Sequence, residues 1–135
     1  MLEYDIQKSN LPVSNYIFFP NRTEDVAPSF IRKLRNCTVI EGQRAKFDCF
    51  IAGEPTPTIR WLMNGVSLDI DSDRQKYFSE VQANGKVTLI IEDCSQENAG
   101  EITIIVENRA GSTQCSAELT VERKNSFEDN NVLLS

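Results

Sequence analysis

The chain has 135 residues, 40% hydrophobic and 25% charged. This is ordinary globular usage for one compact domain with tails, and it excludes disorder throughout. Twenty acidic against 14 basic side chains give a net charge of -6, which argues against a general binder of nucleic acid or anionic membrane and leaves only local basic patches.

Residues 1–27 carry scattered Asn, Ser, Pro and charge without sustained periodicity, and are expected to form an irregular linker. The opening "MLEYDIQKSN" lacks the basic region and apolar stretch of a secretion signal. A complete chain with this start is expected in the cytoplasm. No run of 18 apolar residues occurs, so no membrane insertion is expected. One cluster interrupts the polar linker: Tyr16, Ile17, Phe18 and Phe19 are consecutive and apolar. Exposed apolar runs of this kind mark contact sites, which makes Tyr16, Phe18 and Phe19 candidate partner contacts.

From Pro28 to Glu122 the pattern changes to short runs of period two separated by turn residues, the mark of half-buried strands. Arg32, Lys33 and Arg35 form a small basic cluster near the start, suited either to an acidic partner or to guarding a strand edge. "RAKFDCFIA" places Ala45, Phe47, Cys49 and Ile51 on one face, and "TIRWLM" does the same with Ile59, Trp61 and Met63 before the turn pair Asn64-Gly65. "KVTLIIED" aligns Val87, Leu89 and Ile91 after Asn84-Gly85, where both positions tolerate positive φ and predict a tight hairpin. "NAGEITIIVENRAG" alternates Ile102, Ile104 and Val106, and "STQCSAELTVE" aligns Cys115, Ala117, Leu119 and Val121. No helical stripe is sustained anywhere. Seven or more short strands in about 95 residues predict a β-sandwich, with a small barrel as the alternative on pattern alone. Residues 123–135 lack alternation and are expected to fray.

Chemistry finds little purchase. The chain has no histidine, which removes the commonest general base and zinc ligand and the Ser-His and Cys-His nucleophile systems. No phosphate-loop template matches. "DIDSDRQKYFSE" imitates a calcium loop through Asp69, Asp71, Asp73 and Glu80, but Arg74 stands where the sharp turn needs glycine. Catalytic residues, cofactor and metal are therefore expected to be absent. Two glycosylation triplets, at Asn21 and Asn36, would matter only in an exported chain.

Cys49 followed twelve residues later by Trp61 has the strand B cysteine to strand C tryptophan spacing of immunoglobulin-like domains. With "PSFIRKL", "VIEGQRAKFDCFIAGEPTPTIRW", "LIIEDCSQENAGE" and "ENRAGSTQCSAELTVE", the stretch 28–122 resembles an immunoglobulin I-set domain of the intracellular muscle and cytoskeletal type. Domains of titin, twitchin, obscurin, palladin and myosin light chain kinase are of this type, and the stretches "EGQRAKFDCFIAGEPTPTIRW" and "CSAELTVE" most resemble the C-terminal domain of myosin light chain kinase, also expressed alone as telokin. It implies an all-β, immunoglobulin-like sandwich of two packed antiparallel sheets with Greek-key connections. The expected core signature is Cys49, Trp61, Leu89, Ile102 and Ile104.

The family motif D-x-G-x-Y-x-C reads here Asn98, Gly100, Ile102, Ile104, so the corner tyrosine and the second cysteine are both replaced. A bridge closing residues 49 to 104 would contribute about 4 kcal/mol on the chain-entropy model. A buried Ile104 supplies roughly 1.5–3 kcal/mol without an oxidising compartment. No disulfide is expected, and Cys37–Cys115 is the alternative because their strands neighbour each other in this fold.

The resemblance implies a non-catalytic binding or structural module. Its partners would be filament proteins such as actin or myosin, or neighbouring immunoglobulin and fibronectin-like domains, in a cytoplasmic, myofibrillar setting. The alternatives are an extracellular adhesion or receptor fragment and a single-domain, telokin-like myosin-binding regulator.

Overall fold

The computed structural model describes residues 24–124. Tyr16, Phe18, Phe19, Asn21 and the tail from 125 lie outside the described residues. Nine strands follow in chain order: β1 Val26–Arg32, β2 Cys37–Ile40, β3 Ala45–Glu54, β4 Thr58–Met63, β5 Val66–Ser67, β6 Tyr77–Val81, β7 Lys86–Ile91, β8 Gly100–Asn108 and β9 Gly111–Glu122. They form two sheets, ordered β1-β3-β7-β6 and β2-β9-β8-β4-β5.

Alternation decides which side chains meet between the sheets. Ala45, Phe47, Cys49 and Ile51 of β3 and Val87, Leu89 and Ile91 of β7 are buried from one side. Trp61, Ile102, Ile104, Val106, Ala117, Leu119 and Val121 are buried from the other. Each large apolar side chain so removed from water stabilises by roughly 1.5–3 kcal/mol, which makes this layer the dominant favourable contribution.

The ladders are antiparallel with one exception. β2 runs parallel to β9, with Cys37 opposite Leu119 and Val39 opposite Val121. The chain leaves the four-stranded sheet after β1 and crosses to the other without reversing, and buried Leu34 anchors the crossing. Asn36 fixes the far side of this bend, its side-chain carbonyl accepting from the Glu118 amide at 2.8 Å.

The two Asn-Gly turns differ. Asn64 and Gly65 both take positive φ, 51° and 83°, as the two-residue turn between β4 and β5 requires. In the second turn only Gly85 does so, at 92°. There Gln82 donates to the Lys86 carbonyl at 2.8 Å and Gly85 to the Gln82 carbonyl at 3.0 Å. This is a longer turn closed by a glycine bulge. The expected two-residue turn is not formed: the Gly85 carbonyl accepts from the Ile51 amide of β3 at 2.9 Å, and a Cβ on Gly85 would come within 2.5 Å of the Ile51 carbonyl oxygen, so the position takes glycine.

Candidate functional site

The signature residues converge across the two sheets. Trp61 of β4 pairs with Ile104 of β8, and both are buried, as are Cys49 on the opposite sheet, Leu89 and Ile102. The Trp61 indole N–H donates to Ser79 Oγ at 3.0 Å, so the one polar atom of the ring is satisfied inside an apolar layer.

Burial, then nearby Cys115 and Asp48, pushes the Cys49 thiol up to about 12. Burial also raises Cys94, whose Sγ lies 3.6 Å from the Ile91 carbonyl. Thiols held protonated this firmly are poor nucleophiles and poor metal ligands. All four cysteines are free. Register excludes the alternative Cys37–Cys115 bridge: Cys37 lies opposite Leu119, four residues beyond Cys115 along β9. That offset is about 13 Å at the strand rise, against the roughly 4.4–6.8 Å between Cα atoms that a disulfide allows.

A second constellation was not visible as such in the sequence. Asn98 is buried in a short 3-10 turn, Gln96–Asn98, that leads into β8. Its side-chain oxygen accepts from the Ser95 amide at 2.8 Å and from Lys76 Nζ at 3.1 Å. Lys76 Nζ also donates to the Asp93 carbonyl at 2.8 Å, and Gln96 Nε2 to the Val121 carbonyl at 2.6 Å. Lysine and amide groups thus tie the turn into β8. Beside it, Asn64 Nδ2 donates to the Ala99 carbonyl at 3.1 Å, and Asn64 Oδ1 accepts from the Glu101 amide at 2.8 Å. Gly100, at φ 130°, leaves that oxygen its place, because a Cβ there would overlap the Asn64 side chain.

The acidic loop uses its carboxylates locally. Asp69 accepts from the Ser72 amide at 3.3 Å, Asp73 accepts from the Lys76 amide at 3.1 Å, and Asp71 meets Arg74 at 3.7 Å. No cluster of metal-ligating side chains occurs among the described residues. No helix among them is long and apolar enough to cross a membrane.

Arg32, Lys33 and Arg35 are exposed around the crossing from β1 to β2. The Arg32 guanidinium lies 4.9 Å over the Phe50 ring, which holds its charge at a fixed place on the surface. Arg35 and Lys46 line a groove of about 390 Å³ together with Asn36, Cys37, Phe47 and Asp48.

Residues 28–121, which hold the buried tryptophan, the cysteine on the opposite sheet and both sheets, match the Immunoglobulin I-set domain model. The chain belongs to the immunoglobulin I-set family. This I-set domain is 36% identical over 105 residues to the smooth muscle myosin light chain kinase of Gallus gallus, covering 78% of this chain and 5% of that one. The titin M3 crystal structure superposes with a TM-score of 0.66 at 33% identity, over 73% of this chain and 99% of that one. Titin domains Z1Z2, solved in complex with telethonin, superpose with a TM-score of 0.70 at 26% identity, over 76% and 51% of the two chains. The match spans a small part of the kinase, and its relatives include muscle cytoskeletal proteins.

Proposed function

We propose that this I-set domain is a non-catalytic binding and structural module of a muscle cytoskeletal protein, working in the reducing cytoplasm. Its partner would be an acidic stretch of a filament protein such as actin or myosin, met at the basic cluster. The observation that carries the reading is the run of exposed Arg32, Lys33 and Arg35 at the β1 to β2 crossing, with Arg35 sharing a groove with Lys46 of β3. In a chain of net charge -6, such a patch steers the approach of an anionic surface to one place.

Three further features support it. Relatives in muscle proteins supply the setting, and the telethonin complex is an instance of a titin immunoglobulin pair engaging another protein. Buried Ile104 and four free thiols suit a compartment where disulfides do not persist. Open sheet edges at β1, β2, β5 and β6 offer backbone groups to a partner strand once charge has brought it close.

The test is co-sedimentation of the chain with actin filaments and, separately, with myosin filaments, at low and at physiological salt. Binding to one of them that weakens with salt and disappears in Arg32→Glu/Lys33→Glu/Arg35→Glu supports the patch. Binding unchanged in that variant, with its unfolding midpoint preserved, places the contact elsewhere.

A further inference from the structure

Protein kinases of the basophilic class choose a hydroxyl by the charge pattern before it, reading above all a cation three residues upstream. Among the described residues three hydroxyls have one: Ser79 after Lys76, Ser112 after Arg109 and Thr38 after Arg35. The fold treats them differently. Ser79 Oγ accepts from the Trp61 indole at 3.0 Å, and Lys76 Nζ is engaged by Asn98 and the Asp93 carbonyl, so both halves of that motif are committed inside the domain. Ser112 is exposed, but Arg109 forms a two-pronged pair with Asp25 at 2.8 and 2.9 Å. That geometry aims the guanidinium fork at a carboxylate of its own chain.

Thr38 has neither restraint. It is the exposed residue between half-buried Cys37 and buried Val39 of β2, so it faces outward, and its hydroxyl makes no hydrogen bond among the described residues. Arg35, and Lys33 two residues further back, are exposed and form no ion pair among the described residues. Arg32 adds a third cation, held over Phe50. β2 has four residues, stands at the edge of its sheet and is bonded on one side only, to β9. An edge strand this short, with Val39 as its one buried side chain, opens at low cost and already holds the extended form that a kinase cleft takes. On β9 Thr120 lies opposite Thr38, and Glu118 and Glu122 share its outward face. That strand offers a phosphate no cation, so the nearest compensation in the sequence is the basic crossing.

We propose that Thr38 is a phosphorylation site for a basophilic Ser/Thr protein kinase that reads Lys33 and Arg35. The kinase transfers the γ-phosphoryl group of ATP to Thr38 Oγ1. The new O–P bond replaces the bond from the γ-phosphorus to the bridging oxygen, ADP leaves with that electron pair, and the hydroxyl proton passes to the kinase's catalytic base. The phosphate brings about -1.5 to -2 of charge at pH 7, which cancels most of the charge of Arg32, Lys33 and Arg35. Its consequence for binding rests on the function proposed above: the phosphorylated cluster no longer attracts an acidic stretch.

The test incubates the folded full chain with magnesium ATP and a purified basophilic kinase, the cyclic AMP-dependent catalytic subunit and, separately, a calmodulin-dependent kinase. Phosphate is mapped by peptide mass spectrometry. Ser126, outside the described residues, also follows an arginine by three and is changed to Ala in every chain. The expected result is phosphate on Thr38 at least about tenfold faster than on Ser79 or Ser112, slowed about tenfold or more in Lys33→Gln/Arg35→Gln. Asp25→Ala, which releases Arg109, should raise labelling of Ser112 and leave Thr38 unchanged. Label on Ser79 or Ser112 ahead of Thr38, label on Thr38 only after unfolding in urea, equal labelling of the Lys33→Gln/Arg35→Gln chain, or no label at all overturns the proposal. A Ser112 rate unaffected by Asp25→Ala contradicts the selection by the fold. None of these readouts uses a filament, so their failure is distinct from failure of the co-sedimentation that tests the function.

Discussion

The domain has replaced two family signature residues, and it has done so by different physics. Between the sheets, Ile104 takes the place of a cysteine and is buried beside Trp61, so a covalent tie gives way to non-directional packing. At the corner before β8, Ile102 takes the place of a tyrosine, and its side chain too joins the core. The hydroxyl's tie is not remade by Ile102 at all. The turn into β8 is held separately by Lys76, Asn98 and Ser95, whose hydrogen bonds are directional and include one charged donor. Packing is supplied by whichever apolar side chain fills the space, whereas the hydrogen bonds at this turn join residues distant in sequence.

The comparison breaks most severely if the packed region proves soft. Trp61→Ala should cost about 3–5 kcal/mol in urea unfolding, because it empties the centre of the layer and leaves Ile104 without its cross-strand neighbour. A loss below about 1 kcal/mol would mean that packing is not what replaced the bridge. At the corner, Asn98→Ala should cost about 1–3 kcal/mol, since Lys76 Nζ and the Ser95 amide each lose an acceptor. Asn98→Asp, which keeps the acceptor and adds charge opposite Lys76, should recover most of that loss. If both substitutions have equal effects, the latch is only a filler of space.

Ser79→Ala leaves the indole N–H of Trp61 unpaired and should cost about 1 kcal/mol, which measures how much of the packed region is polar after all. At neutral pH Cys49→Val, a swap of similar volume, is also expected to have a small effect, less than about 1.5 kcal/mol. Its signature lies in alkali. The unfolded thiol loses its proton near pH 8.5, whereas the folded one keeps it until about 12. The unfolded state then binds fewer protons, so stability is full below about pH 8.5 and falls as pH rises toward 12. Cys94 and Tyr77 are raised in the same direction. Midpoints measured from pH 8 to 11 should therefore fall in the native chain and fall less steeply in Cys49→Val.

How much of this could be read from sequence follows the same division. The alternation in "RAKFDCFIA", "KVTLIIED" and "STQCSAELTVE" points directly to residues that the structure buries, because period two is a local property of one strand. The Trp61 to Ile104 pairing was legible from the motif spacing. Lys76 was not, because it sits in the acidic loop region and reaches Asn98 across 22 residues. Only the odd amide at the motif's acidic position gave a signal. The parallel β2 to β9 ladder escaped because the direction of a crossing depends on the tertiary path. Asn84-Gly85 misled because the contact of Gly85 with β3, invisible to a dipeptide rule, is tertiary. The basic cluster was legible as charge, while its closeness to Lys46 of β3 and its anchoring over Phe50 required the fold.

The central claim, that apolar packing replaces the covalent tie, is tested most directly by urea unfolding of the native chain with and without a strong thiol reductant, with thiols counted in the unfolded state. The account predicts coincident midpoints and four titratable thiols. A midpoint that falls on reduction, together with only two thiols before it, would contradict the account.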